Sequence, residues 1–413
     1  MALLPVSDAL AQVLASIDGP VPEEIVPLAS CHGRSLARDL VAKRTQPPFA
    51  VSAMDGYAVR AADCATIPAT LTVIGESAAG RGFRGDIGPG EAVRIFTGAP
   101  LPASADAIVI QEDTQALDDG RVEIHEAPPV GHYVRPAGLD FAKGDVLLEA
   151  GRRLDAGDIA LAAAMNHASL PVRRKPRVAI IATGDELVLP GEEPGPDQIV
   201  ASNIYALAAI ITRAGGEAID CGIARDTRED VLRVVEAARA AEPDILITLG
   251  GASVGAHDLV QETLTGIGLE LGFWRIAMRP GKPLMHGKLG GKSRDMLFLG
   301  LPGNPVSAMV CAILFLAPAI RALLGDPQAP QGPPRHPGIL GVDLKANDKR
   351  EDYMRAKLMP RASALAIVEP FARQDSSMLG HLARADALVI RAPHAPAAKA
   401  GEPVEFIRLA DIF

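Results

Sequence analysis

Aromatic residues are scarce: Phe, Tyr and Trp together make up 4% of the 413 residues. A surface that stacks unpaired bases needs aromatic platforms, so the shortage argues against single-stranded nucleic acid as a partner. Positive charge is also in deficit. The chain has 41 Lys and Arg against 50 Asp and Glu, a net charge of −9. That disfavours a polyanion gripped by a broad basic face, whereas a small anion held by a few local cations remains compatible. Only four cysteines occur (Cys31, Cys64, Cys221, Cys311), with no CxxC pair. They read as reduced structural thiols of a cytosolic protein, not as zinc ligands or disulfides. The longest apolar run, around residues 308–320, contains Pro318 and is too short to span a bilayer. The first residues lack a basic stretch followed by an apolar core, so no signal peptide is evident and a cytoplasmic protein is expected. No Walker A motif or GxGxxG fingerprint occurs, which disfavours an ordinary kinase or dehydrogenase, and no Ser/His/Asp set or Cys/His pair stands out.

Glycine and proline are in excess. With 40 Gly and 34 Pro they form about 18% of the chain, against an average of about 12%. Many turns follow, with backbone close to ligands. The length predicts two to four domains. Residues 3–17 carry Leu3, Val6, Leu10, Val13, Leu14 and Ile17 on one helical stripe. From about 45 to 145, short apolar runs alternate with Gly and Pro, the texture of a compact β domain. Helical texture returns at 151–170, suggesting that the β domain is inserted between flanks that belong together. From 177 to 325 the pattern is βαβαβ. Ser202 and Thr227 are candidate helix caps, Gly215-Gly216 is a stop, and a long helix runs from about Pro305 to Leu324. Continuous apolar strands alternating with helices predict a parallel sheet covered on both faces. After the turn-rich stretch 328–338, residues 339–413 hold short strands suited to a small β barrel or sandwich.

Ligands of such sheets bind at the carboxyl ends of the strands. There the chain places Thr183-Gly184-Asp185-Glu186-Leu187, then Gly250-Gly251-Ala252-Ser253 with Asp258 beyond, then Pro302-Gly303-Asn304-Pro305 with Ser307. Glycines let backbone N–H groups approach phosphate oxygens, and Glu186 and Asp258 are hard oxygen ligands suited to Mg²⁺ on a phosphate. One such turn would be only a tight connection. Three at successive strand ends favour an anion site. The Arg279-Pro280-Gly281-Lys282-Pro283 turn suits an oxyanion or is an exposed turn with solvated charges; both readings stand. Taken alone, Met54-Asp55-Gly56-Tyr57-Ala58-Val59 reads as hairpin chemistry.

The order of MDGYAV (54–59), FTGAP (96–100), PAGLD (136–140), TGDEL (183–187), GGASVGAHD (250–258), RPGKP (279–283) and GLPGNPVSAM (300–309) resembles the molybdopterin molybdenumtransferase family, MoeA and the gephyrin E domain, over nearly the whole chain. The resemblance implies an α/β multidomain fold. A discontinuous linking domain would comprise 1–44 and 146–176, an inserted β domain 45–145, a three-layer α/β molybdopterin-binding domain 177–327, and a C-terminal β barrel 328–413. It implies a homodimer with the pocket shared between subunits, so that Asp55, Thr97 and Asp140 act in trans. The implied reaction inserts molybdate into adenylylated molybdopterin, with Mg²⁺-dependent hydrolysis of the adenylate and release of AMP. A transient contact with the molybdopterin adenylyltransferase would suit such a substrate.

By the same resemblance, Asp258 and Glu186 would serve Mg²⁺, and Asp258, Glu186, Lys282 and Asp55 would be catalytic. Thr97, Asp140, Thr183, Asp185, Asn203, Asp226, Gly250, Gly251, Ser253, Pro302 and Ser307 would bind the substrate. Arg279, Lys282, Pro283, Arg350, Arg355 and Ser376 would bind molybdate. Three positions depart from the family pattern: Arg279 replaces a lysine, Leu139 replaces a glutamate, and Asp375 replaces a glycine beside Ser376. Asp375 either points away or weakens the oxyanion site. Two other readings compete: a single-domain adenylyltransferase, disfavoured by the extra β domains, and a non-catalytic scaffold, for which no receptor-binding segment is legible.

Overall fold

A computed structural model describes residues 3–250, 259–291, 294–361 and 364–412. At its centre is a six-stranded sheet in the order 217–224, 177–183, 245–249, 296–301, 283–289, 269–275. The first four strands are parallel, and 283–289 is antiparallel to both of its neighbours. Alternate residues of Arg177–Thr183 enter different cores. Val178, Ile180 and Ala182 pack under the helices Asn203–Ala214 and 305–323, while Ala179 and Ile181 pack under Arg228–Ala240. Burial on both faces explains why these strands read as unbroken apolar runs.

Some helix ends follow local chemistry closely. Gly215 ends its helix at φ +97°, a left-handed C-cap that glycine adopts without strain. Thr227 accepts from the Asp230 N–H. Ser202, expected as a cap, is itself in helical geometry and its side chain caps nothing. The long helix is α-helical over Pro305–Cys311, a π turn over Ala312–Leu316, and α-helical again over Ala317–Leu323. Pro318 has no N–H for an α-type bond, and the π turn absorbs the break. The proline therefore does not divide the helix. By length and composition this helix would suit a bilayer, but 83% of its most apolar stretch is buried inside the fold.

The chain leaves through Leu40–Val41 and returns through Val146–Leu148, paired antiparallel; Glu23–Pro27 likewise pairs with Ser169–Arg173. Between these exits the inserted part forms a six-stranded sheet, in the order 107–110, 56–59, 91–95, 69–77, 121–124, 114–116. The helix read at 151–170 is shorter. A reciprocal Asp155–Asp158 capping box starts it at Ala156, it ends at Ala164, and 169–173 is the strand just described. The first helix, Val6–Ala15, buries Val6, Ala9 and Val13 in the core of the α/β sheet. Asp244, with a fully buried side chain, joins the segments. It accepts two bonds from Arg174, at 2.7 and 2.8 Å, and one from the Arg177 N–H, and it is ion-paired with Arg294.

Residues 336–408 close a five-stranded barrel. The strand Glu351–Arg361 pairs on one side with Ala364–Pro370 and on the other with Ala387–Arg391, and His336–Leu340 and Pro403–Arg408 complete the ring. Met278–Arg279 adds to it in parallel, carrying the RPGKP turn to the barrel.

Candidate functional site

A cavity of about 1020 Å³ opens at the carboxyl ends of the strands that finish at Thr183, Leu249 and Leu301. That is at the upper end of the usual range for small-molecule sites. Its floor is tied across the strands. The Thr183 hydroxyl donates to the Leu249 carbonyl at 3.2 Å, and the Gly250 N–H donates to the Leu301 carbonyl at 3.1 Å. Gly250 has φ +97°, and a Cβ there would lie 2.8 Å from the Thr183 carbonyl oxygen. Only glycine fits that geometry. Asn203 donates to the Gly303 carbonyl at 2.7 Å, fastening the first turn of a helix to the 302–305 turn.

Thr183, Glu186, Asn203, Asp226, Gly250, Pro283 and Pro302 line the cavity. Asp185 does not. Its Oδ1 accepts from the Asp226 N–H at 3.1 Å and so braces the neighbouring wall. Ser307 is buried in its helix outside the lining. Gly251, Ser253 and Asp258 lie outside the described residues. Among the described lining residues there are two carboxylates, Glu186 and Asp226, and no Lys or Arg.

The expected molybdate ligands are distributed differently. Lys282 is exposed next to the lining residue Pro283, and its ammonium has no hydrogen-bond or ion-pair partner among the described residues. Arg279 is ion-paired with Asp352 and Asp348 and donates to Asn347 Oδ1 at 3.3 Å. Arg350 grips Asp348, and those hydrogen bonds bring the Asp348 carboxyl down to about 2. Burial pushes the Asp352 carboxyl up despite Arg279. Arg355 is buried and donates to the Asp375 carbonyl at 2.7 Å and to Gln374 Oε1 at 3.2 Å. The Ser376 carbonyl accepts from the Val306 N–H at 3.1 Å, which docks the 374–377 loop on the helix that follows Pro305. Ser377, its neighbour, lines the cavity. The Asp375 carboxylate turns onto the Ser377 N–H and hydroxyl, at 2.9 and 2.7 Å, and those bonds hold its pKa below the usual value.

Asp55, Thr97 and Asp140 are exposed on the inserted domain and do not line the cavity of their own chain. The structure nevertheless gathers their three loops. Strand Val51–Ser52 pairs with Val134–Arg135, just before PAGLD, and exchanges bonds with Gly98 and Ala99 of FTGAP. Both the Thr97 N–H and its hydroxyl donate to Asp55 and lower its pKa.

Two parts of the site escaped the sequence reading. A short ribbon pairs Leu187–Val188 with Ile199–Val200; Ile199 and Val200 line the cavity and remain 59% and 40% exposed, a flat apolar wall. Its only sequence signal is an isolated apolar pair after an acidic, Pro-rich loop. The second is Arg225, whose guanidinium reaches the carbonyls of the 184–187 turn.

Known proteins resemble this chain in sequence and fold. Residues 4–166 match the MoeA N-terminal region (domain I and II), 179–322 a probable molybdopterin binding domain, and 337–409 the MoeA C-terminal region (domain IV). A molybdopterin molybdenumtransferase of Haemophilus influenzae is 33% identical over 402 residues, covering 97% of this chain and 98% of its own. One from a Nostoc species is 38% identical over 351 residues, covering 84% and 79%. A solved molybdopterin biosynthesis MoeA structure from Pyrococcus horikoshii, 32% identical, superposes with a TM-score of 0.83 over 98% of this chain and 99% of its own.

Proposed function

This chain belongs to the MoeA family, and from that premise we propose that it is a molybdopterin molybdenumtransferase of molybdenum cofactor biosynthesis. It inserts molybdate into adenylylated molybdopterin, and water cleaves the phosphoanhydride to release AMP. The observation that carries this reading is the cavity lining. Three strand ends present glycine backbone and Glu186, the segment after strand 217–224 adds Asp226, and there is no Lys or Arg among the described lining residues. A phosphate ligand would be repelled by Glu186 and Asp226 unless a divalent cation lay between them.

The donor set fits Mg²⁺, which takes one or two carboxylates and fills its remaining positions with phosphate and water. Glu186 and Asp226 would hold it, with Asp258 by family resemblance, and the ion would neutralise charge developing on the leaving phosphate. The rest falls to the chain itself. Gly250 lets the strand ends close on one another, since a side chain there would meet the Thr183 carbonyl and hydroxyl, and its bare backbone can face a phosphate. Ile199 and Val200 offer the apolar wall against which a planar ring lies. Lys282, without a partner among the described residues, is the cation offered to molybdate, while Arg279 and Arg350 are engaged by Asp348 and Asp352.

The protein acts as a homodimer, in which Asp55, Thr97 and Asp140 of one copy face the cavity of the other. Their exposure in the single chain supports this. The test is turnover of adenylylated molybdopterin by the purified protein with molybdate, in Mg²⁺ and again after chelation by EDTA. Turnover that survives chelation would remove the metal from the scheme.

A further inference from the structure

We propose that Arg225 is a positioning residue, which holds the turn bearing Glu186 in register with the segment bearing Asp226. Its Nη1 donates to three carbonyls of one turn: Gly184 at 3.4 Å, Asp185 at 3.0 Å and Leu187 at 3.1 Å. The anchor is itself anchored. The Arg225 N–H donates to Asp230 Oδ2 at 2.7 Å, and that aspartate lies in the first turn of the helix capped by Thr227. Two more bonds lace the same segments together: the Gly184 N–H to the Ala224 carbonyl at 3.1 Å, and the Asp226 N–H to Asp185 Oδ1 at 3.1 Å. Glu186 and Asp226, which both line the cavity, therefore sit on one hydrogen-bonded unit.

Arg225 adds a fixed positive charge behind that unit. Two carboxylates on one cavity wall repel each other and drive the turn outward when no cation is bound. A guanidinium bonded to the backbone opposes that drift without entering the cavity and without competing for the carboxylate oxygens. A lysine at 225 keeps the charge. Its shorter stem, however, has to bring the ammonium to the point that Nη1 occupies among the three carbonyls. Partners that orient metal ligands from behind commonly contribute about ten- to hundredfold in metal affinity.

The inference rests on the reading of this cavity as a divalent-cation and phosphate site. The experiment compares wild type with Arg225→Ala and Arg225→Lys in three respects: half-saturating Mg²⁺ and kcat for AMP release, the melting temperature, and amide hydrogen exchange over residues 184–188. Arg225→Ala should raise half-saturating Mg²⁺ about tenfold or more. Turnover at saturating Mg²⁺ should be largely retained, exchange at 184–188 should accelerate, and the melting temperature should barely move. Arg225→Lys should fall in between. If kcat drops while half-saturating Mg²⁺ and the exchange rates stay put, the positioning role is overturned. Wild-type protein that exchanges slowly at 184–188 yet releases no AMP overturns the functional reading, and with it the role assigned to Arg225.

Discussion

The Thr97 backbone N–H and the Thr97 hydroxyl both donate to one oxygen of Asp55, each at 2.7 Å. Two loops 42 residues apart thus present a single ionised carboxylate on the surface of the inserted domain. If that carboxylate serves the other copy's cavity, its orientation matters more than its contribution to folding. Thr97→Val removes the hydroxyl bond and keeps the shape. We expect the Asp55 pKa to rise toward its ordinary value, read by NMR titration. Turnover should fall about three- to tenfold, as for loss of one ordinary hydrogen bond at an exposed site, with the melting temperature unchanged.

Gly250→Ala tests the floor of the cavity. The added methyl would lie 2.8 Å from the Thr183 carbonyl and 2.9 Å from its hydroxyl, on a backbone at φ +97°. Strain of this kind costs about 1 to 3 kcal/mol. Denaturant titration should show that loss. Affinity for the adenylylated substrate should fall further than stability alone explains, because the strand ends must part.

Asp244→Ala should be among the more damaging single changes. It strands Arg174 and Arg294, whose charges are already disfavoured by burial, and removes the acceptor of the Arg177 N–H. Breaking a buried ion pair from one side costs about 3 to 5 kcal/mol, measurable by urea unfolding.

His286 makes stability depend on acid. It is buried against Phe273 and Ser16, and burial, aided by Lys288, brings its pKa down to about 4 from 6.5. Between those values the unfolded chain binds the proton and the folded chain does not. The stability carried by neutral His286 is complete above pH 6.5 and is lost as the pH falls toward 4, by roughly 3 kcal/mol in all. His286→Phe should flatten that part of the pH–melting curve.

The legible features were those that repeat or that glycine and proline punctuate. Val178–Ala182 read as a buried strand because both of its faces are covered. Gly250 and Gly303 marked the strand ends. What was hidden depends on distant backbone. Arg225 acts on carbonyls about forty residues away, and no periodicity encodes that. Ile199 and Val200 form a wall only by pairing with Leu187–Val188. The cations assigned together to an oxyanion were read as charges. In the fold, Asp348 and Asp352 engage Arg279 and Arg350. Ser202 looked like a cap because serine usually is one, but the ribbon leads the chain into the helix in a conformation that leaves its hydroxyl unused.

The most direct measurement is AMP release by the purified protein supplied with adenylylated molybdopterin, molybdate and Mg²⁺, followed by reconstitution of an apo-molybdoenzyme with the product. If this chain inserts molybdate as proposed, one AMP is released per cofactor formed, the reconstituted enzyme is active, and both are lost when Mg²⁺ is chelated. A folded wild-type protein that binds the adenylylated substrate and releases no AMP would contradict it.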